Sequence, residues 1–472
     1  MFISYLSCMP EILLLLNVII LQIVKHLRKE QTPKTFASIS KVFFVLTLIS
    51  SIIFYNISFS KNWYDNTEYT TLIKSILVVF VLITNGIVCR WFLNQNYNSC
   101  RYYQLLSLIL IGLFGIISCQ HLGVLMACLS LVFVSVAMIS ENNLDNPIEK
   151  IKLRQFNMIN NLLLILFMIG GIALIYEKTN TLYYMQLQNY YQKQDMDNMD
   201  KLGMLFVLVP ILELIGCVPF HLRRLKIQKE SILPVASSIS ILLSLTGVAF
   251  LLHNLSQIFV QSVEVYNEMI FVCGITSVII GAVGSSSGRN LRQIFGFLEV
   301  FNLGIILLLG YPLQNINIEV IFSYVLILIL MLMGGYICLY GIRSRGNYLQ
   351  TMEDIAGLGK VKPYLAGSLL IFCCSFIGIP PFLSVWGNFL MIHQMLNEQH
   401  FISLGVIFLF LIWVAYGILN IIKSIYFDKR TRNFERVDVG VYVGIVMTVV
   451  LMCYGIIWQE NIMDSLATIM RQ

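Results

Sequence analysis

The sequence predicts an all-α, multi-pass membrane protein of about fourteen transmembrane helices, and three observations carry that reading. Hydrophobic residues make up 58% of the 472 and charged residues 12%, at a mean hydropathy of +0.79. That leaves too little polar surface to cover a water-soluble globule of this size. Apolar runs of about 20 residues recur along the chain, as a helix rising about 1.5 Å per residue needs in order to cross about 30 Å of hydrocarbon. The runs are too long and continuous for barrel strands, and a backbone in lipid must satisfy its own hydrogen bonds, so the spans are helical. The third observation is the segregation of the 31 Lys and Arg residues described below.

In order, the spans fall near 9–25, 36–58, 70–92, 103–119, 121–140, 155–176, 202–220, 232–253, 268–286, 292–311, 319–342, 364–390, 401–424 and 437–458. A short polar turn at Gln120 and His121 divides the fourth from the fifth. The long polar segment 177–201, rich in Tyr, Gln, Asn and Asp, reads as a surface excursion. With alternate loops on opposite sides, one side collects 24 Lys and Arg, the other five, and Lys41 and Lys74 near or within spans complete the 31. Positive charge is retained on the cytoplasmic or matrix side, so both termini are expected on the opposite side.

The net charge of +6 is explained by this topology, and nucleic acid is set aside as a partner. The 11 cysteines lie mostly in apolar spans, with no CxxC pair and no His/Cys cluster at metal spacing, so they read as small buried hydrophobes. The N-terminus has neither a basic n-region nor an Arg/Ser-rich presequence, and the first run is expected to remain a span.

Two spans carry helix breakers: Pro210, Gly216 and Pro219 in the seventh, and Gly378, Pro380 and Pro381 in the twelfth. Proline removes a backbone donor and clashes with the preceding turn. Glu213 and Glu299 are carboxylates inside spans, where ionised burial is costly and function is the default expectation. Arg292 lies two turns from Glu299, which raises an internal ion pair as the alternative. Lys74, close to a span start, is expected to snorkel to the surface. Arg223, Arg224, Lys226 and Lys229 form a basic segment suited to anionic lipid head groups, cardiolipin among them, or to topology alone.

Val218-Pro219-Phe220-His221-Leu222 closing one span, with Pro234-Val235 opening the next, resembles a signature of the antiporter-like subunits of respiratory complex I. NLRQIFGFLEVFNLG at 290–304, Asp354-Ile355-Ala356-Gly357-Leu358, Lys362-Pro363, SFIGIPPF at 375–382, Gly387 and Lys423-Ser424-Ile425-Tyr426-Phe427 continue the likeness in order. With Pro10-Glu11 at the first span, the pattern is nearest the subunit-2 branch of that family.

The resemblance implies N-terminal helices over 1–102, a five-helix repeat over 103–253, a second of inverted topology over 268–424, and a C-terminal helix over 437–472. It implies proton translocation coupled to electron transfer, with other membrane-arm subunits, including an adjacent antiporter-like one, as partners. NADH, FMN, iron–sulfur clusters and ubiquinone would belong to other subunits. No Rossmann glycine pattern or cluster spacing occurs here.

The family's charged carriers are not retained: the lysine positions fall on Leu214, Ser244 and Asn388, the fifth-span glutamate on or near Ser130, and the tenth-span histidine on Asn302. Glu213, Glu299, His221, Ser130, Ser244, Asn302 and Asn388 are therefore the proton-pathway candidates, with Ser237, Ser238 and Ser240 as possible lining. The rival readings are an Mrp-type cation/proton antiporter subunit and a scaffold that no longer pumps. Abundant Ile, Asn, Tyr and Phe suggest an AT-rich genome and the mitochondrial inner membrane, with a bacterial plasma membrane as the alternative.

Overall fold

The computed structural model describes residues 8–27, 32–54, 59–61, 63–142, 146–194, 196–255, 263–312, 317–430 and 432–458. Its helices are α1 (Met9–Leu27), α2 (Pro33–Ile53), α3 (Glu68–Asn94), α4 (Cys100–Ser118), α5 (Leu122–Ser140), α6 (Pro147–Thr179), α7 (Tyr184–Tyr191), α8 (Asn198–Ile215) and α9 (Leu222–Glu230). They continue with α10 (Leu233–Phe250, extended by a π turn), α11 (Val263–Ser287), α12 (Leu291–Leu309), α13 (Ile318–Tyr340), α14 (Leu358–Val361), α15 (Pro363–Ile377), α16 (Ser384–Asn397), α17 (Phe401–Tyr426) and α18 (Val439–Tyr454). Two antiparallel hairpins, β1–β2 (Phe59–Lys61 and Tyr64–Asn66) and β3–β4 (Arg343–Ser344 and Asn347–Tyr348), bridge helix ends.

Eleven helices among the described residues are long and apolar enough to cross a membrane. They correspond to eleven of the fourteen expected spans. The seventh is interrupted between α8 and α9, the twelfth between α15 and α16, and the last is the 16-residue α18. These interruptions occupy the fourth place in each successive set of five spans. An odd offset of five spans is the count that the inverted relation implied by the resemblance requires.

Burial is graded from the middle outwards. Every residue of α10 is buried, serines included, and α12 and α13 are almost as enclosed. At the periphery α1, α6 and α17 turn isoleucine and leucine outwards; Ile402 is 75% exposed. Polar groups inside and apolar ones outside are what lipid solvation requires.

Segment 177–201, the surface excursion expected from composition, carries helical structure among its described residues. Helix α6 runs on to Thr179, and α7 buries Tyr184, Leu187 and Tyr191 against the bundle. His121, which N-caps α5 by accepting from the Gly123 amide at 3.0 Å, pairs across to Tyr183. Lys178 bonds Asp197, the N-cap residue of α8, closing the segment.

Candidate functional site

The site is built around the break between α8 and α9. Gly216 ends α8 in the left-handed region at φ 88°, and a cis Val218–Pro219 bond follows. A helix that stops inside a membrane strands carbonyls and amides that no lipid can satisfy. Here Arg224 Nη2 donates to Leu214 O at 2.6 Å and Nη1 to Ile215 O at 2.6 Å, and the Val218 amide donates to Ser277 Oγ on α11 at 2.8 Å. A Cβ on Gly216 would lie 2.7 Å from the Arg224 guanidinium. Glycine is therefore required there by conformation and by space.

Arg224 also carries the central ion pair. Its Nη1 lies 2.8 Å from Glu299 Oε1 on α12, and Glu299 is fully buried. The same oxygen accepts from Ser244 Oγ on α10 at 2.7 Å, while Oε2 accepts from Gln228 Nε2 on α9 at 2.7 Å. Gln228 Nε2 reaches Ser240 Oγ at 2.6 Å, and Ser240 lies 3.1 Å from the Tyr336 hydroxyl on α13. Gly296 makes room for this: a Cβ there would meet Gln228 Oε1 at 1.7 Å. A polar chain thus joins α9, α10, α12 and α13 through the most enclosed part of the molecule.

A second buried pair lies beside it. Arg223 Nη1 donates to Glu213 Oε1 at 3.1 Å, and Asn160 on α6 donates to the same oxygen at 3.3 Å. Arg223 Nη2 donates to Phe133 O at 2.8 Å and its guanidinium stacks on the Phe133 ring. Neighbouring arginines therefore take opposite directions, Arg223 towards α5 and α6, Arg224 towards α10 and α12.

Three expectations are corrected here. Arg223 and Arg224 are 3% and 4% exposed and bind carboxylates, not lipid head groups; Lys226 rests over the Phe156 ring. The partner of Glu299 is Arg224. Arg292 instead donates to the carbonyls of Lys229 (2.8 Å) and Ser231 at the end of α9. Lys74 does not snorkel: at 1% exposure it donates to Glu11 Oε1 and to the Tyr64 hydroxyl, each at 2.8 Å. The β1–β2 hairpin, unseen in the sequence, delivers Tyr64 to that pair.

The other candidates divide. Ser244 belongs to the central chain, and Ser237 joins the Tyr340 hydroxyl at 3.1 Å, whereas Ser238 bonds its own helix. His221, at the break, is buried with Nδ1 unpartnered among the described residues. Asn302 is closed by bonds to Leu298 O and from Tyr324. Ser130 is half-buried and bonds back to Ala127 O. Asn388 packs its amide against Gly378 at the second break. That break, with Gly378 at φ 81° and a cis Pro380–Pro381 bond, is held by Leu383 N donating to Met452 O at 2.8 Å. Neither α15 nor α16 carries an Asp, Glu, Lys or Arg, so the two breaks differ in chemistry.

Arginine stays protonated at any physiological pH, so within the two ion pairs the partner able to gain and lose a proton is the carboxyl. A protonated Glu299 releases its charge interaction with Arg224 while keeping hydrogen bonds to Ser244 and Gln228. Sequence reasoning missed the arginines as partners, although their place just after the Val218–Leu222 motif was the available signal.

The fold is shared with known proteins. NADH-quinone oxidoreductase subunit N of Paramagnetospirillum magneticum is 22% identical over 464 residues, covering 95% of this chain and 94% of that protein. Among solved structures, a chain of respiratory complex I from Thermus thermophilus superposes with a TM-score of 0.81 at 16% identity, covering 96% of this chain and 98% of its own. A chain of the Mrp complex from Dietzia gives 0.83 at 15% identity, with 97% and 96% covered. The family model for the NADH:quinone oxidoreductase/Mrp antiporter transmembrane region matches residues 149–415, more than half of the chain and both breaks, and the protein belongs to that family.

Proposed function

We propose that the chain is a proton-translocating membrane-arm subunit of an NADH:quinone oxidoreductase, of the subunit N or subunit 2 type. Family membership and the near full-length match to a subunit N support it. The observation that carries the proton role is Glu299, fully buried and bonded to Arg224 across a broken helix. Buried carboxylate–cation pairs within spans mark ion and proton pathways.

Ser244 occupies the position where the resemblance placed a lysine, and Arg224 Nη1 lies 3.1 Å from its hydroxyl. The positive charge has moved from α10 to α9, and the proton is held by Glu299 rather than by an amine. Protonation of Glu299 switches the pair off; its loss restores it. Ser240, Gln228 and Tyr336 extend the path, and Glu213 with Asn160 supplies a branch towards α6. NADH, FMN, the iron–sulfur clusters and ubiquinone are assigned to other subunits, and an adjacent antiporter-like subunit is the expected neighbour. The bacterial relatives favour a bacterial plasma membrane over the mitochondrial inner membrane that residue usage suggested.

The uncharged second break supports a second reading, a scaffold that joins neighbouring subunits without pumping. Proton-to-electron stoichiometry in an assembled complex separates the two. Under the first reading Glu299→Gln lowers it with electron transfer retained; an unchanged ratio favours the scaffold. Glu213→Gln tests the branch in the same way, and an unchanged ratio leaves Glu213 structural.

A further inference from the structure

A separate basic site lies where the β3–β4 hairpin meets the 427–438 segment that links α17 to α18. Ser344, Arg345, Arg430, Arg432 and Asn433 line a polar cavity of about 300 Å³. Arg345 sits in the hairpin turn at φ 50°, followed by Gly346 at φ 81°. Both central residues of such a turn need positive φ, which favours Asn, Asp or Gly. An arginine held there bears a local cost, and its effect is to place a guanidinium at the cavity. Arg430 is braced without neutralisation: Nε donates to Arg432 O at 2.8 Å, Nη2 bonds Asn433 Oδ1, and its backbone packs on Gly357. Among the described residues Arg432 pairs with Asp354 at 3.3 Å, while Arg345 and Arg430 have no carboxylate partner. The nearby Glu435 is committed to Arg343 and to the Gly346 amide.

A second cavity lies between two helices that follow these segments in the chain. Tyr364, Ser368, Tyr442, Ile445, Val446, Val449 and Val450 line an apolar groove of about 410 Å³ between α15 and α18. Helix α18 begins directly after the loop bearing Arg430 and Arg432, and α15 follows the segment bearing Arg345 and Asp354 with only the short α14 between. The groove therefore enters the membrane from the positively charged face on which the arginines lie. A polar cavity with two guanidiniums that lack a carboxylate partner, on the face from which an apolar groove opens, matches one class of ligand, an amphiphile with an anionic phosphodiester head and an acyl tail.

We propose that this is an anionic phospholipid site, with the head-group phosphate held by Arg345, Arg430 and Arg432 and an acyl chain lying between α15 and α18. The phosphate could equally come from free phosphate in solution, but the groove assigns it to lipid. Each guanidinium near the surface is worth about fivefold against an anionic head group, so two give about 25-fold.

The test uses the assembled membrane complex in phosphatidylcholine nanodiscs doped with either phosphatidylglycerol or phosphatidylcholine carrying an acyl-chain diazirine. Cross-linked peptides are mapped by mass spectrometry. Phosphatidylglycerol should label 363–377 and 439–454 about 25-fold more than phosphatidylcholine. R345Q/R430Q should bring the two close to equal, and V446W should abolish labelling by both. R345Q alone, at an exposed turn, should reduce the preference about fivefold and serves if the double variant does not assemble. Equal wild-type labelling by the two lipids, or a preference untouched by the arginine variants, overturns the proposal. So does loss of labelling in inorganic phosphate but not in chloride of equal ionic strength, which would make it a site for free phosphate.

Discussion

The Arg224–Glu299 pair makes a quantitative prediction about coupling. Removing one partner of a buried pair leaves the other charge uncompensated, at about 3–5 kcal/mol. For Glu299→Gln that is the main loss, because Arg224 cannot deprotonate and stays charged on Leu214 O and Ile215 O. Arg224→Met differs in two respects. Glu299 can take up a proton and escape its charge, but both carbonyls at the end of α8 lose their donor, at about 1–3 kcal/mol each. The double variant removes both charges yet still leaves the carbonyls bare. The two single costs should therefore exceed the double cost by about 3 kcal/mol, with the double variant still less stable than wild type. The assay is reversible unfolding of the full chain in mixed micelles with increasing SDS, comparing the four members of the cycle. Single costs that add to within about 0.5 kcal/mol would show the residues to be independent and refute the pairing.

Two further outcomes follow from the geometry. Lys74→Met should lower the amount of assembled protein by stranding Glu11 in the bundle, and Glu11→Gln combined with it should recover part of the loss; equal losses in the single and double variants, read on native gels, would argue against the buried pair. Tags placed on either terminus should be protected from proteases added on the positively charged side and cut from the other, and cleavage on the positive side would overturn the topology.

Much of the fold was legible because hydrocarbon imposes a length on every span: α3, α5, α11 and α17 overlap the runs read from the sequence. Both breaks were visible as Gly/Pro clusters for the same reason. What escaped was the identity of polar partners. Counting positive charge on one face treats every arginine near a span end as solvated. Nothing in one dimension distinguishes a loop charge from a guanidinium folded back onto a helix terminus, as Arg224 is. Lys74 was misplaced for a related reason: snorkelling assumes lipid around the side chain, whereas Glu11, 63 positions earlier, and a hairpin tyrosine enclose it. The polar composition of 177–201 hid the spacing of Tyr184, Leu187 and Tyr191, one face of a short helix.

The double tether of Arg224 has a consequence for direction. A cation anchored to two peptide carbonyls cannot travel with a proton that passes it, so it behaves as a fixed electrode inside the helix bundle. If Glu299 carries the proton as proposed, each neutralisation leaves the electrode bare and raises the electrostatic cost of a second positive charge entering the same space. Transfer through this point is then limited to one proton at a time, and the carboxyl must empty before the next arrives. On that reading, the helix break that supplies the two carbonyls sets the counting rule of the proposed pathway as well as its shape.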